Sequence, residues 1–245
     1  MAETHPFHAA PRLAATLLLV RDDPFEVLMV RRHARAVFAS ALVFPGGAVD
    51  PDDSADAWLP LITGAEQLSA RDRAIRIAAA RETYEEVALS LAVDAEGRPC
   101  RLGPAPFRDA VAAAHAHLEL GSLVPFGHWI TPEGEPRRFD THFFIAAAPD
   151  GQEAVSDGDE TVSLEWVQPA EMISRAQAGE RAVMFPTLMN LMRLAESANV
   201  ADALRAARHR PVFTVHARIE ERGDGSRHVV IPAEAGYAAT EFPAS

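Results

Sequence analysis

The chain has 245 residues, enough for one sizeable hydrophobic core or a core with an appendage. Hydrophobic residues make up 48% and charged residues 24%, the balance of a soluble globular protein. With 35 acidic against 23 basic residues the net charge is −12, which excludes non-specific nucleic-acid binding through a basic footprint but leaves small anionic substrates open, provided metal and local arginines serve them. Cys100 is the only cysteine, so no internal disulfide forms and a reducing, cytoplasmic setting is expected. Met1 to Arg12 lacks the basic-then-apolar order of a signal peptide. The apolar run Leu13 to Val20 is too short to span a bilayer, so no membrane partner is expected.

In chain order, Leu13 to Arg21 reads as a strand closed by the turn signal Asp22-Asp23-Pro24, and Glu26 to Arg32 as its hairpin partner. Leu42 to Phe44 is a short strand running into Pro45-Gly46-Gly47, where two glycines let a ligand approach the backbone. Pro51 to Leu68 reads as an inserted acidic loop with at most one helical turn. Ser69 to Leu91 reads as a helix, alanine-rich and free of proline and glycine, with Asp72 aiding its start. Ala105 to Leu120 is a further predicted helix. Phe126 to Thr131 and Phe139 to Ala147 are strands around a turn at Glu133-Gly134-Glu135-Pro136. Val162 to Val167 is a strand and Pro169 to Ala178 a short helix. Thr187 to Arg208 is helical with a break near Asn199. Val212 to Glu221 and Arg227 to Ile231 form a last hairpin across Gly223-Asp224-Gly225. A mixed sheet covered by helices on both sides is the simplest packing for this order.

The most informative stretch is Arg81-Glu82-Thr83-Tyr84-Glu85-Glu86, inside the alanine-rich helix. Residues three and four apart share a helix face, so Glu82, Glu85 and Glu86 project together. Crowded carboxylates repel unless a positive charge neutralises them. Arg81 serves one of them, four residues before Glu85, and the others call for a hard divalent cation with oxygen ligands. A solvated charged face would carry the same letters, and what separates the two readings lies upstream, at Val43-Phe44-Pro45-Gly46-Gly47-Ala48-Val49-Asp50.

Gly47, Asp53 six positions on, and Arg81-Glu82-x-x-Glu85-Glu86 together resemble a Nudix box, G-x5-E-x7-R-E-U-x-E-E-x-G-U with U a bulky apolar residue. Pro45-Gly46-Gly47 and Ala78-Ala79-Ala80 stand where that family has P-G-G and A-A-x. The chain departs from the pattern at four points. Asp53 replaces Glu, Thr83 replaces an apolar residue, Ala88 replaces the glycine after the glutamate pair, and 27 residues separate Asp53 from Arg81 instead of seven. Loop closure entropy grows slowly with length, so an insertion of that size is tolerable. Leu28-Met29-Val30-Arg31-Arg32 with Leu42 to Asp50, and Trp129-Ile130-Thr131-Pro132 with Arg137-Arg138-Phe139-Asp140-Thr141-x-Phe143-Phe144, are similar to the inserted-box branch that includes coenzyme A and acyl-CoA diphosphatases. The resemblance runs from about Arg12 to Leu194.

The resemblance implies a Nudix α/β/α sandwich with a mixed β-sheet and a loop-helix-loop Nudix motif. It implies one Nudix hydrolase domain over 10–210, its box split by an insertion at about 54–72, with 211–245 a C-terminal hairpin extension packed on the same domain. It implies an enzyme hydrolysing a nucleoside diphosphate linked to another moiety, with coenzyme A or an acyl-CoA as the first choice. ADP-ribose, a nucleotide sugar or a dinucleotide is the alternative. Glu82, Glu85 and Glu86, with a backbone carbonyl near Gly47 or Ala48, then hold Mg²⁺ or Mn²⁺, and Arg81 orients Glu85. Glu160 and Glu82 are both candidates for the general base, and Glu160 reads equally as a solvated loop acid.

Arg31, Arg32, Arg35, Arg137 and Arg138 are candidates to grip phosphates through bidentate guanidinium contacts, against the alternative of strand-end arginines facing water. Phe38 or Trp129 offers a stacking surface for adenine, although an aromatic beside a strand is more often core. His115, His117 and His128 show no cysteine or acidic partner at zinc spacing and read as surface or core residues. His142 alternates with Phe143 on a strand without further support for a role. Ser40 and Ser69 lack a nucleophile elbow, which argues against covalent serine catalysis. A non-catalytic nucleotide-binding regulator is the reading from another class, but such a scaffold loses metal-binding glutamates and here all three are present. Thr187 to Arg208 with the last hairpin is the candidate surface for a homodimer.

Overall fold

The structure is a computed structural model and describes residues 10–32, 41–156 and 161–243. Its centre is a mixed sheet of β1 (Arg12–Arg21), β2 (Glu26–Arg32), β3 (Leu42–Val43), β4 (Gly46–Ala48), β8 (Val124–Ile130), β9 (Phe139–Ala147), β10 (Thr161–Val167) and β11 (Thr214–His216). The order is β10-β2-β1-β9-β8-β11, with β3 paired to β2 and β4 to β1. β1 and β9 run parallel from Arg12↔Phe139 to Val20↔Ala147. β8 lies antiparallel to β9, and β11 parallel to β8.

The period of two along β1 sorts its side chains to two faces. Ala15, Leu17 and Leu19 meet Ile75, Ala78 and Ala79 of α1 (Ala70–Val87), with Phe144 of β9 in the same layer. Leu18 and Val20 face the other way, into a core shared with Phe143, Ile145, Leu188, Leu191 and Ala203. That layer is closed by α3 (Pro169–Gln177), α4 (Phe185–Leu194) and α5 (Val200–His209). The result is the expected Nudix-type α/β/α arrangement. Strands β1, β2, β9 and β10 and helix α3 fall within a residue or two of their predicted spans; α4 ends at Leu194, ahead of the expected break, where Asn199 caps α5 by accepting from Asp202 N–H.

Three expectations change. First, Gly46 and Gly47 are not only a turn but the pleated strand β4, register partners of Thr16 and Ala15. Second, the insertion is not a bare loop. It carries two 3₁₀ turns, Pro51–Ser54 and Asp56–Leu61, and then β5 (Ile62–Thr63), which pairs with β7 (His117–Glu119). Trp58 is buried there, donates to Asp52 O at 3.1 Å and packs tilted against Phe107 at 5.5 Å between centroids. Ile77 and Ala80 of α1 join Trp58, Phe107, Val111, Leu118 and Leu120 in a third core. The helix is therefore apolar on two sides, because the sheet covers one and the insertion the other. Third, the helix expected over Ala105 to Leu120 stops early, as α2 (Phe107–Ala113). His115 takes a left-handed φ of 50°, and the chain leaves as β7 to pair with β5 and with β6 (Ala92–Val93). Pairing in the second sheet overrides the helical preference of the alanine-rich run.

The last segment divides likewise. β11 joins the main sheet, while β12 (Arg218–Glu221), β13 (Arg227–Val230) and β14 (Glu241–Pro243) form a small sheet of their own. Trp129 of β8 donates to the Tyr237 hydroxyl at 3.0 Å, so this segment is tied to the core and Trp129 is a core residue. No helix among the described residues is long and apolar enough to cross a membrane.

Two departures from the box pattern have physical answers in α1. Thr83 is fully buried, and its hydroxyl donates to Ala79 O one turn back at 2.8 Å, so the polar atom is satisfied inside the helix. Ala88 sits at the C-cap in the left-handed region with φ 55°, its N–H donating to Tyr84 O at 3.0 Å. Glycine fits that conformation without a Cβ clash. The left-handed conformation costs an L residue ~1–2 kcal/mol, and glycine gives back ~0.5–1 kcal/mol in backbone entropy. Ala88→Gly is therefore expected to stabilise the fold by about 1 kcal/mol, read as a higher midpoint in urea unfolding. A lower midpoint contradicts the strain assigned to Ala88.

Candidate active site at a glycine strand and a glutamate helix

The centre of the site is the Arg81 guanidinium on α1. Its Nε and Nη2 donate to Asp53 Oδ1 and Oδ2 at 2.9 and 3.0 Å, a two-point bond to a carboxylate only 1% exposed. Nη2 also donates to Ala48 O at 2.9 Å. Nη1 donates to Glu82 Oε1 at 2.8 Å and to Glu85 Oε2 at 2.9 Å. Burial opposes the charge on Arg81, but the hydrogen bonds and charges of Asp53 and Glu82 outweigh it, so the guanidinium is held charged more firmly than in water. Asp53 in turn accepts from Asp50 N–H at 2.8 Å, which fixes the bend where the chain leaves the glycine strand. The two halves of the split motif thus meet at one cation.

The glutamates lie against the glycine strand. Glu86 is buried and accepts the Gly46 N–H at 3.0 Å. Glu82 lies so close to Gly47 that a Cβ there would stand 2.4 Å from Glu82 Oε2. At Gly46 the φ of 155° and the Ala15 carbonyl, 2.4 Å from where a Cβ would be, require glycine for a second reason. Glu85 is the exposed member, at 47%. Three carboxylates and the adjacent backbone carbonyls make an all-oxygen donor set, and the missing side chain at Gly47 is the space that lets a carboxylate reach the strand. The residues fit a hard divalent cation. Their oxygens do not all lie within 4.8 Å of one another, and those of Glu82 and Glu85 turn to Arg81 Nη1.

The remaining candidates divide. Arg31 is half-buried on β2, register partner of Leu42, beside the chain that leads to Gly46. Arg137 is exposed, and Arg138 donates to Thr131 O at 3.3 Å, both at the turn between β8 and β9. That turn lies at the end of β1 where β4 exits, since Arg12 N–H donates to Arg138 O and Val49 N–H to Leu13 O. The Arg32 side chain and the residues Arg35, Phe38, Ser40 and Glu160 lie outside the described residues. Ser69 is the N-cap of α1, accepting from Asp72 N–H at 3.1 Å. His115 is exposed and His117 half-buried on β7.

His128 has an acidic partner, which spacing along the chain did not reveal. Among the described residues, the cluster of three donor-bearing side chains whose ligand atoms all lie within 4.8 Å of one another is His128, Asp140 and His142. His128 Nε2 and Asp140 Oδ1 are 2.5 Å apart, and the rings of His128 and His142 stack at 3.9 Å between centroids. Asp140 and His142 share a strand face by their spacing of two. Their partner is reached only through the register His128↔His142 between β8 and β9. Burial, then the charge of His128, pushes the His142 imidazole down to about 4.

Comparisons with known proteins point to one family. The NUDIX domain family matches residues 10–188. A chicken (Gallus gallus) protein named acyl-coenzyme A diphosphatase NUDT19 is 28% identical over 78% of this chain and 70% of its own length. The human (Homo sapiens) protein of that name is 25% identical over 81% of this chain and 65% of its own. A Caenorhabditis elegans protein named putative nudix hydrolase 7 is 29% identical, covering 76% of this chain and 61% of its own. The chain therefore spans roughly two thirds of the length of these curated relatives. The crystal structure of a NUDIX hydrolase from Alicyclobacillus acidocaldarius superposes with a TM-score of 0.71 at 29% identity, over 83% of this chain and all of that one. Nudix hydrolases generally use divalent metal ions. With the split motif rejoined at Arg81 and its glutamates laid along the glycine strand, the chain belongs to the NUDIX family and is a Nudix hydrolase, an enzyme of diphosphate linkages.

Proposed function

We propose that the protein hydrolyses the diphosphate of coenzyme A or an acyl-CoA, with Glu82, Glu85, Glu86 and the backbone at Gly47 holding Mg²⁺ or Mn²⁺. The observation that carries this reading is the Arg81 clamp, which sets the glutamate helix against the glycine strand despite the insertion. The relatives named acyl-coenzyme A diphosphatase support the substrate. The divalent ion, when bound, neutralises the diphosphate and lowers the pKa of water.

The chain's own groups supply the rest. Arg81 touches no substrate and serves to position Glu82 and Glu85. Gly46 and Gly47 keep the strand bare, so a diphosphate can lie close to the backbone. Arg31, Arg137 and Arg138 are the candidates to bind phosphate oxygens, with Arg32, Arg35 and Phe38 further candidates for substrate contact. Glu82, beside Gly47, and Glu160 are the two candidates to take the proton from the attacking water. Water adds across the P–O–P bond, giving adenosine 3′,5′-bisphosphate and acyl-phosphopantetheine from an acyl-CoA. The single cysteine, Cys100, is half-buried and free, in keeping with a cytoplasmic enzyme.

Two measurements test this. Purified protein with Mg²⁺ or Mn²⁺, given acyl-CoA, coenzyme A, ADP-ribose, a nucleotide sugar and a dinucleotide, is read by mass spectrometry. Adenosine 3′,5′-bisphosphate is the expected product, with a preference for substrates bearing the 3′-phosphate. Good turnover of ADP-ribose beside none of acyl-CoA removes the coenzyme A assignment and leaves the enzyme class.

The metal assignment has its own test in Glu85, the exposed glutamate. Glu85→Gln is expected to lower kcat on the order of 10²-fold or more while leaving the unfolding free energy within about 0.5 kcal/mol of the parent. An unchanged kcat shows that Glu85 serves only Arg81.

A further inference from the structure

We propose that His128, Asp140 and His142 form a second metal site, for a borderline transition ion such as Zn²⁺, separate from the glutamate cluster. The donor atoms are His128 Nε2, Asp140 Oδ1 and His142 Nε2. Asp140 Oδ1 is 2.5 Å from His128 Nε2 and 3.5 Å from His142 Nε2. A tetrahedral ion with bonds of 2.0–2.1 Å sets its ligands about 3.3 Å apart. The His142–Asp140 distance is already close to that value. The His128–Asp140 distance has to open by less than ~1 Å, and the stacked rings have to tilt so that both lone pairs meet the ion.

One observation favours an ion there, and a second is compatible with it. His142 Nε2 is buried and has no hydrogen-bond partner, which is costly for a ring nitrogen unless something fills its lone pair or takes its proton. The contact between His128 Nε2 and Asp140 Oδ1 is an N–H···O hydrogen bond, with one proton between the two ligand atoms. Zinc replaces that proton, so binding releases it to solvent.

The surrounding groups are those that orient ligands. His128 Nδ1 lies 2.8 Å from Thr214 Oγ1 on β11, and Arg71 Nη2 donates to Asp140 Oδ2 at 2.8 Å from α1. All three ligand residues are half-buried, and a water is the fourth ligand the proposal calls for. Two imidazoles and one carboxylate suit zinc, cobalt or nickel and not magnesium. Arg71 marks the N-terminal end of α1, and Glu82 lies 11 residues further along it, about 16 Å at the rise of a helix. An ion here ties β8 to β9 and, through Thr214 and Arg71, to β11 and α1.

The test uses the full chain saturated with Mg²⁺, so that carboxylate sites are occupied, and titrated with Co²⁺. A strong visible band of four-coordinate cobalt is expected to saturate at one equivalent in the parent and in Glu86→Gln, and to be displaced by Zn²⁺. In His142→Ala, and in the bulkier His142→Phe, the band is expected to fall at least tenfold. Absence of the band in the parent overturns the proposal, whatever the variants do. Loss of the band in Glu86→Gln with survival in either His142 variant also overturns it and returns the cobalt to the glutamates.

Discussion

One guanidinium holds the site together. Arg81 donates to a carboxylate from the start of the insertion, a carbonyl from the glycine strand and two glutamates of its own helix. A buried ion pair is by itself weak evidence for stability, since desolvation offsets much of its Coulomb energy. Removing one partner is another matter. Asp53 has almost no exposure, so without Arg81 its charge is left buried and unpaired, a cost of about 3–5 kcal/mol. The same bonds that answer Asp53 set the positions of Glu82 and Glu85, so stability and site geometry depend on one side chain. A lysine there cannot replace it, because a point charge does not reach four acceptors in the plane of a fork.

The insertion is compatible with that arrangement because its ends are fixed and its middle has its own core. Doubling a loop adds only about 0.6 kcal/mol of closure entropy. Trp58, Phe107, Val111 and Leu118 offset such a cost by burying their apolar surface against Ile77 and Ala80, on the side of α1 away from the sheet. The helix that carries the glutamates is thus packed on both sides. Its free end is defined by Ser69 at the start and by the left-handed Ala88 immediately after Val87. A rigid helix next to a bare strand presents carboxylates at a set distance from the backbone, as a metal-assisted hydrolase needs.

Much of this was legible in the residues. β1, β2 and β9 are apolar runs bounded by turn signals, and length with those flanking turns decides for strand over helix. Arg81-Glu82-x-x-Glu85-Glu86 was legible because helical spacing alone puts the acids on one face. The region after α2 was not, since Ala114 to Leu120 favours a helix by composition, and His117–Glu119 becomes β7 only because β5 and β6 wait beside it. The pleating of Gly46 and Gly47 onto β1 was hidden for the same reason, being a matter of pairing rather than propensity. The partnership of His128 with Asp140 and His142 depends on cross-strand register, which no spacing within one chain segment displays. Helical spacing pairs Arg81 with Glu85, and the box pattern makes Asp53 the stand-in for its first glutamate. The bond between Arg81 and Asp53 depends on the insertion folding back on α1, which spacing along the chain does not encode.

The most direct test is a crystal grown with Mn²⁺, with anomalous scattering recorded to locate the ion. A peak beside the Gly47 backbone, with oxygens of Glu82, Glu85 and Glu86 around it and Arg81 still bonded to Asp53, is the predicted result. Manganese ordered elsewhere, with the three glutamates unliganded at the glycine strand, contradicts it.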